Sequence, residues 1–360
     1  MGNEMTYREL WNEIMYYGEF DRMPVIHWKG WPETEERWRE EGMPEGVNAH
    51  EYFGAVPFWY GLGVNDNLYP AFEWETISEG DTTRTERNSD GVIQVVQKNA
   101  SAVPHYVDFT LKTSEQWPEY KKRLQPDPGR IPADLDERIR KAEESDWPIQ
   151  IHAASLMGWI RNWMGVENMT MLMFQEPDCF GDMVDTISDL ACWCIDQVAS
   201  RMSMKAHIIH SWEDICGSSG PFVSPTLFDQ WVAPGYTKIR NKAEEYGIDL
   251  YSIDSDGKVE PLIKHWLDAG VNVMFPLEPG TWKATPEAAR KKYGKDLRIV
   301  GGFDKLVLER GRDAIDAEIA AHVDLCKEGG FVMMPDHLIT PGVPLDDYKY
   351  YLDQVRKLRF

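Results

Sequence analysis

Carboxylates and imidazoles recur at one kind of place in this chain, just beyond short apolar runs. His27 follows Met23–Ile26, and His152 closes the run from Pro148. Trp212-Glu213-Asp214 follow 206–210, Asp254-Ser255-Asp256-Gly257 follow 249–253, and Glu278 follows 271–277. Asp304-Lys305 come after Gly301-Gly302, and Asp336-His337 after 330–334. Carboxylates that converge raise one another's pKa and prepare one of them as a proton donor. The same groups can hold a divalent ion through oxygen, with a histidine completing the site. The residue types allow both.

Each position also has an ordinary use. Asp256 precedes a glycine and a helical pattern and suits a helix cap. Glu213 and Asp214 are adjacent, so in an extended segment only one faces inward, and Asp214 is the one expected there. His27, on a buried run, suits packing as well as chemistry. His207 and His210 lie inside a run and are expected to pack or hydrogen-bond. Asp336-His337, between Pro335 and Pro341-Gly342-Val343-Pro344, reads as a rigid loop presenting polar groups.

Large rings cluster in the N-terminal half. Trp28-Lys29-Gly30-Trp31 and Phe58-Trp59-Tyr60-Gly61-Leu62-Gly63 combine aromatics with glycine, as loops lining an apolar pocket do. Trp28, Trp59 and Tyr60 are the expected substrate contacts, and a flat aromatic ligand would suit them. Met157, Met164, Met169, Met171 and Met173 read as adaptable packing near that pocket or as ordinary helix core.

The elements that must position these groups follow from periodicity. A first helix is expected over 6–18, a short buried strand over 23–28, and helical pieces over 34–41 and 48–53. Residues 72–110 alternate around the turn Asn88-Ser89-Asp90-Gly91 and predict an antiparallel excursion. A helix near 114–124 and a proline loop follow. From residue 133 the pattern is regular: helix 134–145, strand 148–152, a Met-rich helical region to about 202, strand 206–210, helix 225–246 and strand 249–253. Helix 259–269, strand 271–277, helix 285–293, strand 297–301, helix 312–327, strand 330–334 and helix 346–358 complete it. Such alternation implies parallel strands with helical crossovers. A doubly wound sheet and a barrel both fit, and the strand count favours the barrel. In either, chemistry gathers beyond the C-terminal ends of the strands.

Composition narrows the partners. The 360 residues are 42% hydrophobic and 27% charged, with a net charge of −22. Such a surface repels phosphate backbones and anionic membranes, so neither nucleic acid nor membrane is expected as a partner. The five cysteines are odd in number and irregular in spacing, which predicts no disulfide framework. Cys192 and Cys194 fall in a helical apolar run and read as packing. No apolar signal core or membrane-length run is present, so a cytoplasmic protein is expected.

Several segments, in order, resemble the uroporphyrinogen decarboxylase-like superfamily. Ser224-Pro225-Thr226-Leu227-Phe228 with Pro234 and Tyr236 is similar to its "SP-x-x-F … P-x-Y" helix entry. Asp254-Ser255-Asp256-Gly257 resembles its His-Ser-x-Gly turn, and Gly301-Gly302-Phe303-Asp304 its Gly-x-Asp turn. Gly329-Gly330-Phe331 with Asp336-His337 and Pro344 resembles its closing stretch. Trp159-Ile160-Arg161 with Met164 to Asn168 and Pro177 matches a further helix motif. The resemblance runs from about residue 148 onward and is weaker before it.

The resemblance implies an α/β fold, a (β/α)8 TIM barrel with an N-terminal helical/antiparallel excursion. It implies one domain over 1–360, with insertions in 30–130 lining the barrel mouth. The true decarboxylases of the superfamily carry an Arg-rich segment after the first strand, where this chain reads His27-Trp28-Lys29-Gly30-Trp31. Its coenzyme M methyltransferases bind zinc through a His-x-Cys pair and a later Cys. The matching positions here are Asp254, Asp256 and the Asp336-His337 region, without cysteine. What remains resembles the methyltransferase I component of bacterial ether O-demethylases, a branch that passes a methyl group to a Co(I) corrinoid. No Asp-x-His-x-x-Gly motif is present, so the corrinoid (cobalamin) would be carried by a partner, a corrinoid-binding protein. The expected reaction is O-demethylation of a methoxylated aromatic. His337, Asp336, Asp254, Asp214 and His27 are the expected catalytic groups. Trp28, Trp59, Tyr60, His152, Trp159, Arg161, Glu278 and Asp304 are the expected substrate contacts. Asp254, Asp256 and His337 could hold a divalent metal such as zinc. The superfamily allows a homodimer. Two alternatives stand beside this reading. One is a decarboxylase of a smaller acid, clamped by Arg161, Lys29 or Lys305. The other is a non-catalytic corrinoid-protein partner or ligand sensor.

Overall fold

A computed structural model describes residues 5–98 and 104–360. Thirteen strands lie among these residues. β1 is Tyr60–Leu62. β2 (Glu75–Glu79), β3 (Thr83–Arg87), β4 (Val92–Gln97) and β5 (His105–Phe109) form an antiparallel sheet in that order. β6 (Ile149–His152) and β7 (Ile208–Trp212) return to parallel pairing, and β8 (Cys216–Gly217) and β9 (Gly220–Pro221) make a small hairpin. β10 (Tyr251–Asp254), β11 (Val273–Leu277), β12 (Arg298–Phe303) and β13 (Phe331–Pro335) follow.

The parallel sheet has seven strands in the order β1-β6-β7-β10-β11-β12-β13. Its strands beyond β1 are buried nearly throughout, and β11 and β13 are buried at every residue. That is the pattern of strands covered on both faces. The sheet curls so that the N-terminal segment lies between its two edges. Ile26 pairs in parallel with Val56, just before β1, and Gly30 pairs with Ile339, just after β13. Helices join successive strands and cover the outside. The last of them, Leu345–Lys357, buries Leu345, Tyr348, Tyr351, Leu352 and Val355, a helical stripe that faces the core.

Four differences from the sequence expectations have local causes. Residues 58–63 were expected as a loop, yet Tyr60–Leu62 is the edge strand beside β6. It is three residues long and glycine-containing, too short to show a period. Residues 23–28 contribute one bridge, at Ile26, and no regular strand. The helix expected over 225–246 is divided by a π-type turn at Phe228–Val232. Pro234 has no N–H to close the ordinary helical bond there. The Met-rich region is two helices, Gly158–Gln175 and Pro177–Ala199, parted at Pro177. The first is interrupted at Gly165, which has φ +77° and stands against the ring of Phe109. No helix among the described residues is long and apolar enough to cross a membrane.

Candidate active site

Strand alternation decides which side chains meet inside the curl. β7 sends Ser211 outward, where its hydroxyl donates to the Ala153 carbonyl, and His210 inward against Trp59 and Phe275. Phe275 also meets Trp28 and Phe58, with ring centroids 5.4 and 5.0 Å apart. These rings form an aromatic floor. Trp28 carries it upward, since its ring lies 5.5 Å from that of His337.

Above the floor the strand ends converge. Asp214 follows β7, Asp254 ends β10, and Asp256 lies in the turn beyond. One carboxylate oxygen from each comes within 4.8 Å of the others. Asp214 has φ +48°, a left-handed conformation that aspartate tolerates better than most residues. Its backbone is held by Arg161, whose Nη1 donates to the Asp214 carbonyl at 2.6 Å. Its Oδ1 accepts the Asp256 N–H at 3.0 Å. His337 Nε2 lies 3.5 Å from Asp256 Oδ2. Asp256 Oδ1 is buried and has no hydrogen-bond partner among the described residues.

Electrostatics follow from this crowding. Burial, then the charges of Asp214, Asp256 and Glu278, push Asp254 well above the usual carboxylate range. Burial and Asp256 also raise Asp214. Burial alone would depress His337, but the hydrogen bond and charge of Asp256 outweigh it, and its pKa is raised.

A second group of charges lies beside the first. Lys305, only 8% exposed, places Nζ 3.2 Å from Asp336 Oδ1 and 3.4 Å from Glu278 Oε1. Asp336 is wholly buried and also accepts the Lys305 and Gly280 N–H groups. Glu278 Oε2 accepts from Trp282 Nε1 at 2.8 Å and from the Gly257 N–H at 3.4 Å. Glu278 therefore ties the buried triad to the turn that carries Asp256. Burial lifts Asp336 to about 6 even though Lys305 opposes the shift.

Trp159 and Arg161 border this region. The Trp159 ring stands 5.8 Å from that of Trp212, and the Arg161 guanidinium lies over Trp212 at 5.2 Å. Glu213 points the opposite way from Asp214. It is fully buried and accepts the N–H groups of Leu156, Met157 and Gly158, which begin the Trp159–Arg161 helix. His152 is level with Ser252, two residues before Asp254, and its Nδ1 pairs with Asp66. Burial works against protonation of His152, and Asp66 reverses the sign, so the pKa is raised.

Three expected site residues lie elsewhere. His27 is buried outside the floor, its Nδ1 2.8 Å from Tyr348 Oη and its ring against His50 and Phe53. Burial, with His50, pushes it down to about 3, so it packs as a neutral ring. Tyr60 faces Trp147 in the outer layer, because alternation along β1 turns it away from Trp59. Asp304 caps the short helix Lys305–Glu309, its Oδ1 accepting the Leu306 N–H. Trp59 lies in the floor, 7% exposed. Asp66 was not anticipated. It follows β1 as the other acids follow their strands, and reading 60–62 as a strand would have pointed to it.

The family model for uroporphyrinogen decarboxylase (URO-D) matches residues 151–358, more than half of the chain. The chain belongs to this family. Asp214, Asp254, Asp256, Glu278, Lys305, Asp336 and His337 all fall inside the URO-D match, and Trp28, Trp59 and Asp66 precede it. Among curated proteins it resembles the uroporphyrinogen decarboxylase of Picosynechococcus sp., 24% identical over 207 residues, which cover 55% of this chain and 53% of that one. The uroporphyrinogen decarboxylase of Syntrophotalea carbinolica is 24% identical over 189 residues, covering 52% and 51%. The chain thus spans about half the length of the curated relatives it matches. A methyltransferase from Methanosarcina mazei shares the fold, with a TM-score of 0.61 and 18% identity over 98% of each chain.

Proposed function

We propose that this URO-D family protein is a methyltransferase that removes a methyl group from a methoxylated small molecule, with an aromatic donor as the preferred class. In this reading the segment 25–30 completes a (β/α)8 ring, and the strand-end acids form the active site. The observation that carries it is the meeting of Asp214, Asp254 and Asp256 within 4.8 Å above an aromatic floor.

Breaking an ether leaves the electron pair of the C–O bond on oxygen, and that oxygen must be protonated or held by a Lewis acid. Burial and the neighbouring acids raise the pKa of Asp254 above the usual carboxylate range, which supports it as the group that gives a proton to the departing oxygen. His337, hydrogen-bonded to Asp256, returns a proton to the cluster between turnovers. Trp28 and Trp159 hold the ring of the donor. A Co(I) corrinoid (cobalamin) on a separate corrinoid-binding protein would supply the nucleophile that takes the methyl.

A divalent ion such as zinc fits the same residues. Three carboxylate oxygens within 4.8 Å of one another form an oxygen donor set, His337 stands beside it 3.5 Å from Asp256, and Asp256 Oδ1 is buried with no partner among the described residues. Asp214, Asp254 and Asp256 would hold it, and it would act as a Lewis acid on the leaving oxygen. The names of the curated relatives support a second reading, decarboxylation. It requires a cation for the substrate carboxylate; Arg161 and Lys305 are already engaged by the protein, which leaves the exposed Lys29 beside Trp28 as the candidate clamp.

The test is anaerobic incubation with a Co(I) corrinoid and a panel of methoxyarenes, following the corrinoid spectrum and phenol release, with metal content measured on the same sample. Methyl transfer is expected, and Asp254→Asn should lower it about 10²–10⁴-fold, the usual size of a general-acid contribution. Unchanged turnover in that variant, or CO2 release from a carboxylated aromatic without corrinoid, would overturn the assignment.

A further inference from the structure

The wall made by β1, β6 and β7 carries polar groups that neither the acid cluster nor the aromatic floor uses. β6 and β7 lie in register with His152 beside His210, so both imidazoles face the interior, and Gln150 points the same way two residues earlier. Gln150 is only 5% exposed, and its Nε2 is buried with no hydrogen-bond partner among the described residues. Proteins avoid leaving a buried amide donor unpaired unless something else satisfies it. β1 puts Gly61 opposite Gln150, and Gly63 follows on the same side. A side chain at Gly61 would begin 3.2 Å from Gln150 Oε1, and one at Gly63 would begin 3.3 Å from His152 Cβ. Glycine at both positions keeps that space clear.

His152 opens onto the same space. The buried Asp66 takes both His152 Nδ1 and the Ala154 N–H on one oxygen, which fixes the ring and leaves Nε2 as its free nitrogen. The His152 side chain is 34% exposed, and Nε2 meets no partner among the described residues. Asp66 favours the charged ring, in which Nε2 carries a proton. His210 behaves differently. Its Nδ1 donates to Ser252 Oγ, which itself donates to the Ile209 carbonyl, and burial holds the ring neutral. Gln150 and His152 therefore offer two N–H donors to one cleared space. A carbonyl or carboxylate oxygen has the lone pairs to accept both.

We propose that this wall is a second subsite, in which Gln150 and His152 donate hydrogen bonds to a carbonyl or carboxylate oxygen at the end of the ligand remote from its methoxy group, with Asp66 as the positioning residue for His152. His152 and Asp254 are two strands and two residues apart, which the spacings of a sheet make about 12 Å between Cα atoms. Both side chains reach inward across that distance, so one para-substituted ring can touch both. The inference rests on the reading of the interior as a methyl-transfer site, and concerns the far substituent of the molecule that enters it.

Three ligands of one shape test it: para-methoxyacetophenone, para-methoxybenzoate and para-methoxytoluene. Each is titrated calorimetrically into the full protein with no corrinoid present, so that binding is judged apart from methyl transfer. At least one of the two oxygen-bearing ligands is expected to bind about five- to tenfold more tightly than the toluene, the worth of one net hydrogen bond. The tighter of the two names the class, a ketone or amide in one case and an acid in the other. Gln150→Leu and His152→Phe should each narrow the gap, and Asp66→Asn should weaken the oxygen-bearing ligand and leave the toluene unchanged. If these variants do not fold, the pH dependence of the acetophenone advantage on the unaltered protein carries the test. That advantage should shrink as pH rises through the raised pKa of His152, because Nε2 then loses its proton. Asp66 and His210 are the titratable groups that face His152, and His210 is neutral throughout. Equal affinity for all three ligands, no binding of any of them, or a gap that survives both Gln150→Leu and His152→Phe overturns the proposal. So does a pH-independent advantage. Methyl transfer from the toluene as readily as from the other two would overturn it while leaving the methyl-transfer reading intact, and an affinity gap with no transfer from any ligand would do the reverse.

Discussion

Replacing Glu213 by Gln should unseat the wall of the site without touching its acids. The carboxylate is wholly buried, and both of its oxygens are used. Oε1 accepts the Leu156 N–H and the Tyr236 hydroxyl, each at 2.7 Å. Oε2 accepts the N–H groups of Met157 and Gly158, each at 2.8 Å, and the Ser155 hydroxyl at 3.3 Å. Three of these donors are backbone groups that begin the helix Gly158–Gln175, which has no N-cap side-chain bond from its own first residues. Glutamine keeps one acceptor oxygen and puts an NH2 where the other stood, so one or two backbone N–H groups face a donor, while the Tyr236 and Ser155 hydroxyls can turn to accept. Hydrogen bonds to a charged partner contribute roughly 1.5–3 kcal/mol each. Losing one or two costs about 2–6 kcal/mol, and relief of the buried charge returns part of it, so about 2–4 kcal/mol remains. At roughly 2.1 cal/mol/K of unfolding entropy per residue, the 360 residues make this a fall in Tm of about 3–5 °C. Differential scanning calorimetry measures it. Affinity for the proposed methoxylated donor should fall as well, because Trp159 and Arg161 ride on this helix. A Glu213→Gln protein melting within about 1 °C of the unaltered one would show that the carboxylate does not seat the helix.

Two other changes separate packing from chemistry. His322 is buried between Glu287 and Glu318, and although burial alone would lower its pKa, these partners raise it to about 9. A histidine held charged by folding stabilises fully below its unfolded pKa and loses that contribution as pH rises through the folded one. Stability should therefore fall by about 2–3 kcal/mol between about pH 6.5 and pH 9, after allowing for the solvent around the two glutamates. Urea unfolding across that window should show the slope, and His322→Gln should flatten it. For His27, substitution by Phe should remove the Tyr348 contact and cost about 1–3 kcal/mol in denaturant unfolding. Turnover should be unaltered, and a large loss of turnover with the fold intact would restore His27 to the chemistry.

What could be read from the sequence depended on how regular each segment was. From β6 onward, strands of buried β-branched and aromatic residues alternate with amphipathic helices, and most of those boundaries were legible to within a few residues. The acids just beyond these strands were legible for the same reason, since a strand end fixes where the next polar residue points. Asp214 against Glu213 was decided by alternation alone, and the two do face opposite ways. The N-terminal third was less legible. β1 has three residues, and residues 25–30 pair only at single bridges, so neither shows a period. Misreading 58–63 as a loop placed Tyr60 in the pocket, when a strand would have turned it outward, and the same error hid Asp66. Asp304 was misread because a cap and a ligand look alike in sequence, and only the Leu306 N–H tells them apart.

The partners of Lys305 were the least legible part of the site, and they bear most on its chemistry. Adjacent in sequence to Asp304, Lys305 looks like a surface cation available to a substrate carboxylate. The fold buries it between Glu278 and Asp336, acids that come from β11 and β13 on either side of its own strand. Neutralised there, it leaves Glu278 Oε2 to hold the Gly257 N–H, and so fixes the turn that carries Asp256. A cation that would have drawn an anionic substrate is thus used to position an acid. That exchange keeps Lys305 from Asp214, Asp254 and Asp256, of which Asp256 meets the His337 imidazole instead.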